Sequence, residues 1–194
     1  MKNIVLAVTG ASGSIYAERF IEVVSKKYNE ITLNIIFTDT AKKVWKLERK
    51  NDTDKFLKKI NNIHIVDNSS FNAPFCSGSA SADLMIILPC SMGTIGRIAS
   101  GISTDTIGRI ADVQLKEKKM LIIVPRESPF NLIHLRNMTL LSEAGAIIAP
   151  ASPSFYHNPE DIDTLVDSFI GRIIQLCGID KLKEEYMWGI KKML

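Results

Sequence analysis

Short apolar segments that alternate with helix-like segments are the feature of this chain that most restricts its fold. The first apolar segment, Ile4–Val8, is continuous and partly β-branched, which is typical of a strand buried on both faces of a sheet. Similar segments predict six strands in all, and between most of them apolar residues recur at helical spacing. This alternation predicts an α/β fold in which a parallel sheet carries helices on both faces, joined by right-handed crossovers.

The boundaries of the elements follow from where each pattern stops at glycine, proline or polar residues. The predicted strands are Ile4–Val8, Ile31–Phe37, Ile63–Val66, Leu84–Leu88, Met120–Val124 and Ala146–Ile148. The predicted helices are Ile15–Tyr28, a basic helix from Thr38 through Glu48, Asp52–Ile60, Gly93–Ser100, Asp105–Glu117, Pro129–Ala144 and the clearly amphipathic Asp161–Leu176.

Composition is that of an ordinary globular protein. The 194 residues are most simply one domain, 1–194, and residues 179–194 form a charged tail that is either a partner-binding arm or a frayed end. Hydrophobic residues make up 46% and charged residues 23%, which argues against disorder. The net charge of +3, from 24 basic and 21 acidic residues, is too small to imply a nucleic-acid partner.

Cysteine, histidine and hydropathy patterns exclude several classes of protein. The three cysteines lie far apart without a CxxC spacing, so neither a disulfide framework nor a zinc site is indicated, and a reducing compartment is favoured. The three histidines show no metal-ligand spacing, so no metal is expected. No apolar run approaches the ~20 residues of a membrane span. We therefore expect a cytoplasmic protein without a membrane partner.

Polar loops follow four of the predicted strands, at the edge of the sheet where ligands bind in folds of this class. In open parallel sheets, the ligand crevice lies beyond the carboxyl ends of the strands. The chain's most unusual residues fall there, in Gly10–Ser14, at Thr38, in Pro89–Thr94 and in Pro125–Pro129. Convergence of four loops on one rim predicts a binding site at this edge.

The first of these loops, GASGS from Gly10, suits an anion or the polar edge of a cofactor. Its flexible backbone supplies free N–H groups at a helix N-terminus. It is not the GxGxxG sequence of dinucleotide-binding folds, since Gly10 and Gly13 are three apart and no third glycine follows. Thr38, rather than an acidic residue, ends the second strand, which favours a mononucleotide over NAD.

Two other loops each allow two interpretations. Ser91, with Gly93 and Thr94, provides hydroxyls and a glycine for a ligand, but it is equally an ordinary helix N-cap. Arg126 and Glu127 stand between two prolines, which would hold both charges on a stiff turn at the floor of an active site. The alternative is a helix N-terminus, with Glu127 at the positive end of the dipole and Arg126 solvated.

Three further residues are less informative on sequence alone. Cys90 has no neighbouring base, which favours a buried structural thiol over a nucleophile. Tyr156 is either a core aromatic or a group that presents its hydroxyl to a substrate. Arg172 lies off the apolar stripe of the last predicted helix, where a solvated surface arginine is the simplest interpretation.

Six motifs, in order along the chain, resemble those of the UbiX/Pad flavin prenyltransferases. They are GASGS from Gly10, APFCSGS from Ala73, LPCSMGT from Leu88, RIADVQLKEKK from Arg109, VPRESPFNLIHLRNM from Val124 and FYHNP from Phe155. Each motif is modest, but their order and spacing together are highly specific, and the match runs from Ile4 to Trp188. The resemblance implies a flavodoxin-like Rossmann fold and a homo-oligomer, usually a dodecamer, with sites at subunit interfaces.

The same resemblance implies an activity. Reduced FMN and dimethylallyl phosphate would give FMN prenylated at N5 and the adjacent ring carbon, with release of phosphate and without a metal. The product is the cofactor of UbiD-type decarboxylases, which makes such an enzyme the expected recipient. Two alternatives are an FMN-dependent cysteine decarboxylase and a non-enzymatic flavin carrier. The first of these carries a catalytic histidine and a PASANT-like motif, where this chain has PCSMGT.

Site residues are carried over from the family position by position. The positions that match FMN contacts are Gly10, Ala11, Ser12, Thr38, Ser91, Met92, Gly93, Thr94 and Arg126. The positions that match dimethylallyl phosphate contacts are Tyr156 and Arg172, helped by Arg109 and Lys116. The positions expected to be catalytic are Glu127, Ser12 and Glu48. The chain departs from the family pattern at Thr38, commonly serine, and at Phe71, where a bulkier tryptophan is usual near the prenyl chain.

Overall fold

Six parallel strands form one sheet in the computed structural model, which describes residues 2–179 of the chain. The strands are β1 Lys2–Val8, β2 Ile31–Phe37, β3 Ile63–Val66, β4 Leu84–Cys90, β5 Met120–Pro125 and β6 Ile147–Ile148. Their order across the sheet is β3-β2-β1-β4-β5-β6, and every neighbouring pair is parallel. The α/β parallel-sheet prediction is confirmed. Of the predicted tail, residues 180–194 lie outside the described residues.

Seven α-helices lie in the described part of the chain, together with two short 3₁₀ turns, Pro74–Cys76 and Gly78–Ala80, that the sequence did not indicate. The helices are α1 Ser14–Lys27, α2 Asp39–Arg49, α3 Thr53–Leu57, α4 Met92–Ala99, α5 Thr106–Lys116, α6 Leu132–Glu143 and α7 Ile162–Leu176. None of these helices, within residues 2–179, has the length and apolar character needed to cross a bilayer.

Four predicted boundaries were wrong by two or three residues, at the start of β1, the end of α3, the start of α6 and the end of β4. The last two have local reasons. The helix expected to start at Pro129 begins at Leu132, because the Asn131 side chain accepts a hydrogen bond from the His134 N–H at 2.9 Å and caps the helix there. The strand expected to stop at Leu88 continues to Cys90, which pairs with Pro125 of β5 after a register shift.

Both faces of the sheet are covered, which makes its strand ends a rigid frame. Ile4–Val8 of β1 are each at most 1% exposed. Val5 and Ala7 point to one face, in a buried cluster with residues of α4, α5 and α6, while α1 contacts β2 and β4. Each large apolar side chain buried in this way contributes about 1.5–3 kcal/mol, so the positions of the loops are well determined.

The chain divides into two units, residues 1–150 and 151–194. The first unit contains the sheet and helices α1 to α6. The described part of the second unit contains α7, whose N-terminus is capped by Asp161 through a 2.7 Å hydrogen bond from the Thr164 N–H.

Strand order reverses between β1 and β4, because the chain winds outward from β1 towards β3 and from β4 towards β6. In folds of this kind, that reversal opens a crevice at the carboxyl ends of the two central strands. The loops after Val8 and after Cys90 therefore border the expected ligand site.

Candidate functional site

The hydroxyl of Thr9 joins the two loops at this reversal point. It donates a hydrogen bond to the Pro89 carbonyl at 2.9 Å and accepts one from the Ser91 N–H at 2.7 Å. The Thr9 N–H donates to the same Pro89 carbonyl at 3.2 Å, and Thr9 is only 1% exposed. Thr9 thus fixes the loop after β1 to the loop after β4. Thr9 was not among the predicted site residues, although it is the first polar side chain after an apolar strand.

A cavity of about 410 Å³ opens beside this junction. Its volume lies within the ~300–1,000 Å³ of typical small-molecule sites. The sequence had predicted four of its lining residues and missed the other six. The predicted ones are Gly10, Thr38, Ser91 and Thr94, and the missed ones are Asp39, Thr40, Asn68, Arg97, Thr104 and Asp105.

The N-termini of two helices border the cavity. Thr38 caps α2 by accepting a hydrogen bond from the Ala41 N–H at 3.0 Å. Ser91 precedes α4, but its side chain makes no cap, so the N-cap interpretation of that hydroxyl is wrong. It lies instead 3.1 Å from the Thr94 hydroxyl. Two helix dipoles and several hydroxyls make this cavity suitable for a phosphate and a polyol.

Gly10 is required by the close approach of α2 to the first loop. A Cβ atom at Gly10 would collide with the side chain of Thr40. Gly13 is required for a different reason, since its φ of 110° lies in the left-handed region. Gly93, in the first turn of α4, faces open space, since an added Cβ would meet nothing within 4 Å.

Glu48, from the last turn of α2, occupies the N-terminus of α1. Its carboxylate accepts hydrogen bonds from the Gly13 N–H at 3.0 Å and the Ser14 N–H at 2.7 Å. The first loop was expected to offer free N–H groups to a ligand, and for these two donors that expectation was wrong. No local pattern could have shown this, because Glu48 lies 35 residues after Gly13.

These contacts keep Glu48 ionised at neutral pH. Partial burial opposes ionisation, but hydrogen bonds from the Ser12 hydroxyl and from Ser14 and Gly13 outweigh it and lower the pKa of Glu48 below its ordinary value. Because Ser12 donates its proton to Glu48, the lone pairs of Ser12 Oγ remain able to accept a hydrogen bond from a bound group.

Arg126 links the loop after β5 to the other two central loops. Its Nε donates to the Ser12 carbonyl at 3.0 Å, and its backbone N–H donates to the Cys90 carbonyl at 3.2 Å. Glu48, Ser12 and Arg126 therefore form one connected group. Arg126 is half-buried, so its guanidinium lies at the rim of the site.

Glu127 is exposed, and its carboxylate accepts a hydrogen bond from the Ser128 N–H at 3.0 Å. The interpretation of Glu127 as a residue at a helix N-terminus was wrong, since α6 begins five residues later and Asn131 caps it. Glu127 is thus a carboxylate on the loop after β5, placed next to Arg126 in the chain.

Four other predicted residues of the first unit lie in two places: two lie near the ends of the central strands β1 and β4, and two lie in α5. Ala11, on the loop after β1, and Met92, the first residue of α4, are buried, each 8% exposed. Arg109, in α5, donates to the Cys76 carbonyl at 3.0 Å and pairs with Asp112 at 2.8 Å. Lys116 ends α5, about 15 Å along the helix from its first turn, and pairs with Glu117. Within this chain, Lys116 is not brought to the cavity.

Two predicted residues belong to the second unit. Tyr156 is 80% exposed, so the core-aromatic interpretation was wrong. Arg172 lies in α7, exposed, and its Nη1 donates to the Gln175 Oε1 at 3.3 Å. Both side chains present polar groups on the surface of that unit.

Cys90 is fully buried, and burial raises the pKa of its thiol far above the ordinary value. The prediction of a buried thiol is thereby confirmed. Among residues 2–179, no group of three or more histidine, cysteine or acidic side chains is arranged to hold a metal ion.

Comparison with known proteins gives matches over almost the whole chain. The Flavoprotein family model matches residues 1–174. The flavin prenyltransferase UbiX of Methanocaldococcus jannaschii is 41% identical over 178 residues, which cover 92% of this chain and 94% of that protein.

Two solved structures share the fold at more than 30% identity. AnUbiX, in complex with FMN and dimethylallyl pyrophosphate, has a TM-score of 0.86 and 35% identity, covering 91% of this chain and 92% of AnUbiX. A dodecameric FMN-dependent UbiX-like decarboxylase from Escherichia coli O157:H7 has a TM-score of 0.85 and 31% identity, covering 91% and 94% of the two chains.

Proposed function

The chain belongs to the UbiX family of flavin prenyltransferases, and on that premise we propose that it joins a dimethylallyl group from dimethylallyl phosphate to reduced FMN. The observation that carries the proposal is the cavity at the strand-order reversal, where Gly10, Thr38, Ser91 and Thr94 meet. The family resemblance assigns these residues to FMN, and the fact that all four line one cavity of about 410 Å³ supports that assignment.

The residues present fit FMN by their chemistry. The cavity offers hydroxyls and helix N-termini to a phosphate and a ribityl chain, and the close approach at Gly10 leaves no room for a side chain there. We assign the ring system to the group formed by Ser12, Arg126 and Glu48, with Ala11 on the loop after β1 and with Met92 and Gly93 in the first turn of α4. When bound and reduced, the flavin supplies a nucleophilic ring nitrogen.

The protein's own groups would orient the reactants and handle charge and protons. Ser12 Oγ, whose proton is held by Glu48, can accept a hydrogen bond from an N–H edge. Glu127 is an exposed carboxylate, suited to accept the proton that prenylation releases. We assign Tyr156 and Arg172, helped by Arg109 and Lys116, to the donor phosphate.

Ionisation of the allylic phosphate explains those residue types. The C–O bond breaks to leave an allyl cation and a phosphate that carries two negative charges. Guanidinium, ammonium and phenol groups stabilise that phosphate by charge-assisted hydrogen bonds, so the proposed mechanism does not call for a metal ion.

We further propose that the protein forms a homo-oligomer, that its product passes to a UbiD-type decarboxylase, and that it acts in the cytoplasm. Large apolar side chains exposed on α6, among them Ile133 at 67% and Leu132 at 60%, support association of copies. Cys76 and Cys90 are buried thiols outside any disulfide, which suits a reducing compartment.

The direct test is mass spectrometry of the flavin after anaerobic incubation of the protein with reduced FMN and dimethylallyl phosphate. A flavin heavier by one dimethylallyl group is expected. Recovery of unchanged FMN, with the monophosphate and the diphosphate donor alike, would show that the proposed function is wrong. A non-enzymatic flavin carrier would give that result while still binding FMN.

Substitutions at Arg126 and Glu127 should separate binding from chemistry. Arg126→Ala removes the link to the Ser12 carbonyl and a ligand-facing cation, so the Kd for FMN should rise by about tenfold to a hundredfold. Glu127→Gln should leave that Kd within about twofold and slow prenyl transfer by roughly 10²-fold, because only the proton acceptor is lost.

Both effects are measured by flavin titration and by product formation at saturating FMN. The control is Glu143→Gln, an exposed glutamate at the end of α6, which should change neither quantity. Equal losses of affinity and rate in both variants would contradict the division of roles between Arg126 and Glu127.

A further inference from the structure

Arg97, in α4, is the one positively charged side chain among the described residues that line the cavity. Neither the sequence motifs nor the family resemblance assigned it a role. It lies one helical turn after Thr94, on the side of α4 that faces the cavity. Its guanidinium is partly exposed, with 39% of the side chain accessible.

The contacts of Arg97 within the protein are long. Its Nη2 lies 3.4 Å from the Thr94 hydroxyl and 3.5 Å from the Asp105 carboxylate. Charge-assisted hydrogen bonds of arginine are about 2.7–2.9 Å, so neither contact satisfies the guanidinium fully. Within residues 2–179, its Nε and Nη1 make no hydrogen bond, so the N–H groups of both atoms are left for a ligand.

The nearby carboxylate of Asp105 is already engaged. Its Oδ1 accepts a 2.7 Å hydrogen bond from the Gly108 N–H and so caps α5, and its Oδ2 lies 3.4 Å from the Asn68 amide nitrogen. Asn68 in turn accepts from the Ile107 N–H at 3.2 Å, which fixes the loop after β3 to α5. Asp105 is therefore held in place, and its carboxylate keeps the Arg97 Nη2 at the cavity wall.

The rest of the wall favours a phosphate next to Arg97. Thr38, Ser91 and Thr94 supply hydroxyls, and the first turns of α2 and α4 add two helix dipoles. Asp39 is the other acidic residue of the wall, and it is exposed on the first turn of α2, where water screens its charge.

We propose that Arg97 is the counterion of the FMN phosphate and that it makes the site select the phosphorylated flavin over riboflavin. The inference rests on the proposed function, because it takes FMN as the ligand. A planar guanidinium can offer two parallel N–H groups to a phosphate, whereas riboflavin presents a neutral hydroxyl at that position.

The test compares the Kd values of FMN and riboflavin for the wild-type protein and for Arg97→Met, measured by quenching of flavin fluorescence. Methionine keeps most of the length of the side chain and removes its charge. The Kd for FMN is expected to rise by about tenfold to a hundredfold, while the Kd for riboflavin stays within about twofold. Retained riboflavin binding also shows that the variant has folded.

Two further variants act as controls. Arg97→Lys keeps the positive charge but lacks the planar pair of guanidinium N–H groups. Its preference for FMN over riboflavin should therefore lie between those of the wild type and Arg97→Met. Arg136→Met removes an exposed arginine of α6 that does not line the cavity, and neither Kd should change.

A second measurement needs no variant: raising the salt concentration from about 0.05 to 0.5 M should weaken wild-type binding of FMN more than that of riboflavin.

An unchanged ratio of the two Kd values in Arg97→Met, or equal salt dependence for the two flavins, would overturn the inference. Parallel loss of both flavins would also overturn it, since Arg97 would then maintain the cavity rather than recognise the phosphate. A wild-type protein that binds FMN but forms no prenylated flavin would refute the proposed function and leave the Arg97 result to be judged separately.

Discussion

Replacing Glu48 with glutamine is expected to slow prenyl transfer by roughly 10²-fold, a loss comparable to removing one oriented group from an active site. Glu48 holds the N-terminus of α1 and receives the proton of Ser12. Glutamine has one acceptor oxygen in place of two, and its NH₂ group would face an N–H donor of the loop. Ser12 would then lose the orientation that directs its lone pairs towards a bound group.

The same substitution is expected to lower the free energy of unfolding by about 1–2 kcal/mol, towards the low end for hydrogen bonds to a charged group because water reaches the site. This loss should depend on pH. The pKa of Glu48 is lowered in the folded protein, so its stabilising contribution is complete above the ordinary pKa of 4.5. It disappears as pH falls through the lowered folded value.

Urea unfolding of the wild type and Glu48→Gln between pH 7 and pH 3 measures this dependence. The difference between the two proteins should be constant near neutrality and should shrink in the acid range. Glu143→Gln is the matched control, since it removes an exposed glutamate with no recorded partner among residues 2–179. A difference that does not change down to pH 3, together with a wild-type rate of transfer, would contradict both roles of Glu48.

The fold was largely predictable because its strands are buried on both faces. A mostly apolar, isoleucine-rich segment such as Ile31–Phe37, bounded by polar residues, is typical of an interior strand, and its predicted limits are those observed. The error at Leu88 arose because proline was treated as a stop. Pro89 nevertheless lies within β4, since the register shift lets Cys90 pair with Pro125 beyond it.

The candidate site was predictable only where it lies directly after a strand. Thr38 and Ser91 follow β2 and β4, and the rule that ligands bind at the carboxyl ends of strands was sufficient to find them. The same rule applied to β3 would have indicated Asn68. Arg97 and Asp105 lie within and after α4, so their position at the cavity depends on how α4 and α5 pack, which no local pattern contains.

Replacing Thr9 with valine is expected to cost about 2–4 kcal/mol of stability, the largest loss among single substitutions at the site. Valine has nearly the same shape but no hydroxyl, so the Ser91 N–H loses its 2.7 Å acceptor at a partly buried position. The Pro89 carbonyl loses its donor at 2.9 Å and keeps only the longer bond from the Thr9 N–H. Each buried group left unsatisfied costs about 1–3 kcal/mol.

The consequences should reach flavin binding, because Thr9 fixes the loop that carries Ser91 and Thr94 to the loop that carries Gly10. We expect the Kd for FMN to rise by about tenfold or more in Thr9→Val, which corresponds to at least ~1.4 kcal/mol of binding free energy. The measurements are denaturant unfolding and flavin titration on the same protein preparation.

Two variants isolate the hydroxyl as the cause. Thr9→Ser keeps both hydrogen bonds and loses one buried methyl group, so it should cost about 1 kcal/mol and leave the Kd near the wild-type value. Thr53→Val alters another buried threonine, whose hydroxyl makes only a 3.5 Å contact with Asp54, and it should change neither quantity appreciably. If Thr9→Ser weakened FMN binding as much as Thr9→Val, shape rather than hydrogen bonding would join the two loops. If Thr9→Val bound FMN normally despite its loss of stability, the cavity would not depend on the junction between β1 and β4.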